Sequence, residues 1–275
     1  MSQITTAPKT GSIARPKPSR GLNAYYLRLE LKRQLKQPTT LFFGILLPVM
    51  FYALFGSMPG TDQMAGHGNV NGVIVCFMAI YGASMTAAEV ATSLAFDRPM
   101  GWSRELRLTP LRPWAFITTK VLNAMLGAVL SMGVLFVVAL AWGLAQMPAW
   151  LWLAGLGIGF VCGVTFGAFG LMAASLTEGP TAIGILIPVL LFSCFMSGLF
   201  SVPLTGNFFA TLQKIVPLGG PVNLVLALFG PQAVLNGTIG GMGIGDWRIW
   251  ANLIGWLAVF LLGAAIAYSR DTKRQ

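Results

Sequence analysis

The sequence predicts an all-α polytopic membrane protein with six transmembrane helices, an N-terminal interfacial helix and outer re-entrant helices between spans five and six. Three observations predict this fold class. The 275 residues are 55% hydrophobic and only 9% charged, which leaves too few charged side chains to cover a soluble globule of this size. Apolar runs recur that reach the roughly 20 residues needed to cross a bilayer. Basic residues gather between and beside these runs.

The chain begins with a predicted cytoplasmic tail, residues 1–21, whose Pro, Ser, Thr and Lys content favours disorder. Residues 22–37 are predicted to form a connecting helix along the inner membrane surface, because an apolar stripe and a basic stripe run side by side at helical spacing. The stripes comprise Ala24, Leu27, Leu31 and Leu35, and Arg28, Lys32 and Lys36. Pro38 ends this helix before the first span.

The transmembrane domain, residues 38–268, contains the six predicted spans. They cover residues 39–58, 71–95, 114–144, 149–176, 181–202 and 247–268. The uncharged stretch 121–177 is too long for one crossing, so the Gln-Met-Pro sequence at 146–148 is predicted to be a tight turn between two spans.

The fourth span carries glycines at four-residue intervals. They are Gly155, Gly159, Gly163 and Gly167. Since these positions share one helix face, we expect a neighbouring helix backbone to approach closely there.

The outer segment between spans five and six, residues 203–246, is unusually apolar for an exposed loop. Proline and glycine interrupt it repeatedly, so it is predicted to form short helices that re-enter the outer leaflet. Residues 269–275 are predicted to be a cytoplasmic tail.

The distribution of Lys and Arg predicts the orientation. Sixteen of the eighteen basic residues fall on one side: before the first span, between spans two and three or, for Lys120, in the first turns of the third span, or after the last span. Only Lys214 and Arg248 fall on the other side. The positive-inside rule then places both termini in the cytoplasm of a multi-pass protein of the cell membrane. The net charge of +10 fits this topology and anionic lipid headgroups, so no nucleic-acid partner is expected.

No catalytic or metal-binding motif is recognisable. The phosphate-binding pattern G-x-x-x-x-G-K-[ST] is absent, as is H-E-x-x-H, and the single histidine, His67, falls in an outer loop. Cys76, Cys162 and Cys194 lie on separate predicted spans without C-x-x-C spacing. We therefore expect a non-catalytic chain that binds neither ATP nor metal by itself.

Glu89 is the one acidic residue inside a predicted span, and a carboxylate there costs at least about 2.5 kcal/mol on insertion scales. Two interpretations are open. Glu89 could bind a cation, a proton or a cationic substrate, or it could pair at the inner membrane surface with Arg98, Arg104 or the basic first helix.

A charged segment, residues 97–112, separates the second and third spans. Its residues 101–108 can form two helical turns that stop before Pro110, with Arg104 and Arg107 three residues apart. Such a helix can dock into a cleft of a soluble partner.

These elements together resemble the membrane subunits of type-2 ABC exporters, in particular the drug-exporter branch. The resemblance is carried by residues 25–55, which include Leu-Arg-Leu-Glu-Leu-Lys-Arg, and by residues 103–121, which include Arg-Leu-Thr-Pro-Leu-Arg-Pro. Residues 216–223 are similar to the outer re-entrant segment, although Gly219, Gly220 and Asn223 depart from the bulkier and acidic residues expected there.

The resemblance implies a separate ABC ATPase subunit that holds ATP and Mg, and a second permease chain, identical or related. The residues implied to contact the ATPase subunit are Arg104, Glu105, Arg107, Leu108, Thr109 and Glu178. A hydrophobic or amphipathic small molecule, such as a drug, antibiotic or lipid, would pass along the second and fifth spans. The implied pathway residues are Phe77, Tyr81, Met85, Phe192, Phe195, Met196 and Leu199.

An ion-coupled secondary transporter is the alternative function. Such a carrier needs intramembrane polar residues for its ion, and Glu89 is the candidate.

Overall fold

The described part of the chain consists of ten helices and one short hairpin. The structure is a computed structural model, and it describes residues 24–34, 36–97, 113–177, 179–200, 207–230 and 244–271. The helices are α1 (Ala24–Gln34), α2 (Thr40–Gly56), α3 (Val70–Thr92), α4 (Leu94–Asp97), α5 (Pro113–Trp142), α6 (Ala149–Leu176), α7 (Pro180–Ser197), α8 (Asn207–Ile215), α9 (Gly219–Phe229) and α10 (Trp247–Asp271). The hairpin pairs β1 (Met64–Ala65) with β2 (Gly68–Asn69). The predicted all-α class is confirmed.

Five of the described helices are long and apolar enough to cross a membrane. They are α3, α5, α6, α7 and α10, and they coincide with the predicted second to sixth spans. The predicted first span corresponds to α2, a shorter apolar helix whose first turns, Thr40–Leu46, are π-helical. The total of six spans therefore stays a prediction.

Helix α3 forms the centre of the bundle. All of its apolar span is buried within the chain, whereas α10 is almost entirely exposed. Helices α2, α5, α6, α7 and α9 all pack against α3, and its contact with α6 is the most extensive helix contact in the described residues.

The predicted glycine face of α6 is the surface that meets α3 and α5. A methyl group added at Gly155 would lie 3.0 Å from the sulfur of Cys76 on α3, and one at Gly163 would lie 3.2 Å from Ala128 on α5. Gly170 extends the same face, since a methyl group there would overlap the carbonyl oxygen of Ala88. The backbone of α3 does approach this face: methyl groups added at Gly159 and Gly163 would lie 3.6 Å from the carbonyl oxygens of Ala79 and Ala83, an ordinary contact distance, and at Gly170 the facing backbone leaves no room for a methyl group.

Asn69 begins α3 and also holds the outer hairpin in place. Its side-chain oxygen accepts hydrogen bonds from the backbone N–H groups of Gly72 and Gln146, both at 2.9 Å. Its side-chain amide donates to the carbonyl of Leu144 at 2.7 Å. One residue thus caps a helix and fixes the predicted turn at 146–148, where Pro148 precedes α6.

Two short helices, α8 and α9, occupy the predicted outer re-entrant segment. Asn252 on α10 holds the turn between them: its amide donates to the carbonyls of Lys214 and Val216, and its oxygen accepts from Gly220 N–H at 3.0 Å. The indole of Trp256 donates to the carbonyl of Ile215 at 2.6 Å. The helices are therefore anchored to the last span, while their depth in the bilayer stays a prediction.

Several predicted segments lie outside the described residues. They are the tail 1–21, the helix 101–108 of the charged inner loop, the stretch 231–243 and the last residues, 272–275.

Candidate functional site

At the end of the bundle that the sequence predicts to be cytoplasmic, α1 packs against α5 through polar residues. The buried residues of α1 are Glu30 and Gln34, while Arg28, Lys32 and Arg33 are exposed. Leu31, from the predicted apolar stripe, is only half-buried. The structure therefore has a helix within the predicted range 22–37. It contacts the rest of the bundle through polar side chains, and the hydrophobic pattern of the sequence did not indicate this mode of attachment.

Lys120, at the start of the membrane-embedded part of α5, forms a buried ion pair with Glu30. Its side chain is 2% exposed and that of Glu30 10%. The ammonium also donates a hydrogen bond to the hydroxyl of Ser93 at 3.2 Å. Three elements, α1, α5 and the turn after α3, therefore meet at this one ammonium group.

A row of polar side chains continues from Lys120 between α1, α2, α3 and α5. We call this row the polar seam. Its members are Glu30, Gln34, Thr40, Thr86, Glu89, Ser93, Lys120, Asn123 and Ser131, all buried or nearly so.

The register between antiparallel α3 and α5 produces the seam. Ser93 meets Lys120, and Thr86 lies level with Gly127, where the absence of a side chain makes room for the Gln34 amide. The backbone carbonyl of Gly44 on α2 accepts hydrogen bonds from both Thr86 and Ser131. Ser131 lies one turn beyond Gly127 on α5.

Glu89 lies on the last turns of α3 within this seam and is 6% exposed. Within the described part of the chain, neither of its carboxylate oxygens has a hydrogen bond of normal geometry, and no ion pair involves it. The side chain of Thr40 on α2 is close enough to interact with it. Arg98 and Arg104, two of its predicted partners, lie outside the described residues.

The residues predicted to contact an ATPase all lie outside the described residues. They are Arg104, Glu105, Arg107, Leu108, Thr109 and Glu178. Their flanks, however, are described: Gly179 N–H donates to the carbonyl of Ala95 at 3.2 Å, and Ala95, Ala174 and Ala182 pack together. The described residues Ala95 and Gly179 therefore lie at the same corner of the bundle.

The predicted pathway residues separate into two groups. Phe77, Tyr81, Met85 and Leu199 are buried inside the chain. Phe192 and Phe195 lie on the surface of α7, and Met196 is half-buried. The structure therefore does not place the seven residues on one exposed surface.

An aromatic cluster nevertheless links the buried group to the exposed one. The ring of Phe200 lies 5.6 Å from Tyr81 and 4.9 Å from Phe195, centroid to centroid. Phe51 on α2 joins this cluster at 5.0 Å from Phe200, and Phe55 follows one turn later. The hydroxyl of Tyr81 is buried without a hydrogen-bond partner among the described residues.

Sequence analysis did not identify Phe51, Phe55 or Phe200. The spacing of Phe51 and Phe55, four residues apart on one helix face, is the signal that indicates the first two. Phe200 follows the left-handed Gly198 that ends α7, so its direction depends on the folded turn.

The described residues contain no group of three His, Cys, Asp or Glu side chains that could hold a metal ion. Cys76, Cys162 and Cys194 are buried free thiols.

Comparison with known proteins gives two matches. Residues 24–229 match the family described as ABC-2 type transporter. The chain is also 26% identical, over 160 residues, to a protein of Bacillus subtilis (strain 168) named "Putative transport permease YvfS". That alignment covers 57% of this chain and 64% of the relative.

Proposed function

The chain belongs to the ABC-2 type transporter family, and on this premise we propose that it is the transmembrane permease subunit of an ATP-driven exporter. The family match covers 24–229, from the start of α1 to the end of α9. A separate ATPase subunit would hold ATP and Mg and would supply the power. The cargo would be a hydrophobic or amphipathic molecule such as a drug, an antibiotic or a lipid.

The observation that carries the choice of cargo is the aromatic cluster. It extends from buried Tyr81 through Phe200 to exposed Phe195, so packed aromatic rings link the surface of α7 to the interior of the bundle. Aromatic walls with few polar groups suit amphipathic ligands of variable shape, and the unpartnered Tyr81 hydroxyl offers one hydrogen bond.

A second permease chain would complete the pathway. The outer face of α7 is an exposed apolar stripe at helical spacing. It comprises Ile185, Val189, Phe192 and Phe195. We propose that the same stripe of an identical or related chain faces it across the translocation pathway.

The inner corner would receive the ATPase subunit. The hydrogen bond between Gly179 and Ala95 joins the start of α7 to α4, and one partner surface at this corner would contact both Glu178 and the 97–112 loop. In this mechanism, ATP binding closes the ATPase subunits, the 101–108 helix moves with them, and the paired membrane domains change from inward to outward access.

Transport in proteoliposomes tests this function. The permease, purified with its co-expressed ATPase subunit, is reconstituted with a fluorescent amphipathic dye, and uptake into inside-out vesicles is followed. We expect uptake with ATP and none with a non-hydrolysable analogue or with an ATPase subunit lacking its phosphate-binding lysine. Transport by the permease alone, driven by a sodium or proton gradient, would instead establish the ion-coupled alternative, which the unpaired carboxyl of Glu89 favours.

Substitution of the cluster tests the pathway. Phe200→Ala and Phe195→Ala are each expected to lower dye transport by about tenfold, because one aromatic contact to a ligand contributes on the order of 1–2 kcal/mol. Phe160→Ala, an exposed phenylalanine on α6, is the matched control. Equal transport by all three variants would place the pathway elsewhere.

A further inference from the structure

We propose that Lys120 is shared by two carboxylates: it pairs with Glu30 while α1 is docked on the bundle, and it transfers to Glu89 when α1 moves away. The part of this inference that concerns transport rests on the proposed function. The pairing itself is a property of this chain alone.

The first observation is that two buried carboxyl groups lie on α1 and α3, the helices that pack against α5 and its buried Lys120. Glu30 and Glu89 are 8% and 6% exposed, and Lys120 is 2% exposed. Lys120 pairs with Glu30, which leaves Glu89 without a hydrogen bond or an ion pair in the described residues. A buried carboxylate without a partner is costly, so this arrangement favours any movement that gives Glu89 a cation.

The second observation is that Lys120 already contacts the helix that carries Glu89. Its ammonium donates to Ser93 at 3.2 Å, and Ser93 is four residues beyond Glu89, with its backbone N–H donating to the Glu89 carbonyl. Side chains four residues apart on a helix have Cβ atoms about 5–6 Å apart. The exchange would therefore require a change of rotamers of the two long side chains.

The third observation is that the docked surface of α1 is incompletely satisfied. Gln34 and Asn123 line the same small cavity with Glu30, and the side-chain oxygen of each is buried without a hydrogen-bond partner in the described residues. Departure of α1 would expose Glu30 and Gln34 to water, which solvates them, while Lys120 would keep a carboxylate partner. Lys120 would thus have a carboxylate partner in both arrangements, as the proposed two-state element requires.

A double-mutant cycle on the purified full chain in detergent tests the exchange. Glu89→Gln alone is expected to raise the melting temperature, because it removes an unpaired buried charge. Glu30→Gln alone is expected to lower it only slightly, because Lys120 transfers to Glu89. The double variant leaves Lys120 without either carboxylate, so its melting temperature should fall at least about 3 °C below the additive value.

Asp62→Asn, which removes an exposed carboxylate from the outer hairpin segment, is the matched control. Its effect on the melting temperature should be the same whether or not Glu30 or Glu89 is also replaced. If the melting-temperature changes of Glu30→Gln and Glu89→Gln simply add, so that Glu89→Gln is stabilising both in the wild-type chain and in the Glu30→Gln variant, the exchange is overturned.

A second measurement does not need the double variant to fold. Asn123→Cys places a thiol beneath α1. The rate at which a small water-soluble reagent labels this thiol reports whether α1 is docked. The native cysteines are buried, so their labelling gives only a background rate, which is subtracted. Glu30→Gln should raise the labelling rate at least about tenfold, and Glu89→Gln should leave it at or below the starting rate. Equal rates in the Glu30→Gln variant and its parent would overturn the proposal.

The transport assay distinguishes failure of the proposed exporter function from failure of the proposed exchange of Lys120 between Glu30 and Glu89. Failure of ATP-driven dye uptake would reject the exporter function, whereas the labelling and stability results of the isolated chain would still decide the exchange. If uptake succeeds, Glu89→Gln should lower the number of dye molecules moved per ATP hydrolysed, while Asp62→Asn should leave that ratio unchanged.

Discussion

At the scale of single residues, the bundle depends on positions where a side chain is missing. Gly170 of α6 lies against the backbone carbonyl of Ala88, and Gly127 of α5 leaves the space that the Gln34 amide occupies. A backbone group cannot move aside as the end of a flexible side chain can. Gly170 is therefore a stricter requirement than Gly159, whose neighbour is the thioether of Met132.

Gly170→Ala is expected to destabilise the protein by about 1–3 kcal/mol, because the new methyl group must push α6 away from α3. Gly157→Ala is the matched control on the same helix, where an added methyl group meets nothing within 4 Å. The control should be neutral or stabilising by about 0.4–1 kcal/mol through the unfolded chain. Thermal unfolding in detergent, followed by tryptophan fluorescence, measures both, and equal melting temperatures would contradict the packing argument.

At the scale of elements, the positions of the helices could be predicted from the sequence more accurately than which side of each helix is buried. Apolar runs bounded by Pro and Gly predicted α3, α5, α6, α7 and α10 because lipid requires long uninterrupted helices. The glycine spacing on α6 likewise predicted its packing face. The buried face of α1 could not be predicted, because the partners of Glu30 and Gln34 on α5, Lys120 and Gly127, are 90 or more residues away in the sequence.

The side chain of Asn69 joins the hairpin to the start of α3 and to the turn before α6. Asn69→Ala should destabilise the protein by about 2–3 kcal/mol, because the N–H groups of Gly72 and Gln146 and the carbonyl of Leu144 all lose a partner. Gln63→Ala, whose side chain is exposed in the same segment, is the control and should change stability by less than about 0.5 kcal/mol. Chemical or thermal unfolding compares them, and similar losses for the two variants would refute the role of Asn69.

At the scale of the whole molecule, the basic inner end and the apolar outer end define an orientation. The inner end carries the exposed Arg28, Lys32 and Lys36, and the opposite end of the bundle carries the hairpin with His67. Short basic segments stay in the cytoplasm, so the hairpin should face outward.

Cysteine labelling of intact cells checks this orientation. The native cysteines are buried, so an introduced thiol dominates the signal. Asp62→Cys should react with a membrane-impermeant reagent from outside, and Lys36→Cys should react only after the membrane is opened. The reverse pattern would invert the topology and move the proposed ATPase contact to the wrong side of the membrane.

The complete enclosure of α3 has a consequence for how this protein tolerates sequence change. Every position of its apolar span is buried within the same chain, whereas only 11% of the equivalent span of α10 is buried. Lipid accepts many apolar side chains of different shape, but a closely packed interior accepts few. Sequence drift in this permease should therefore be slowest along its innermost helix and fastest along the outermost one.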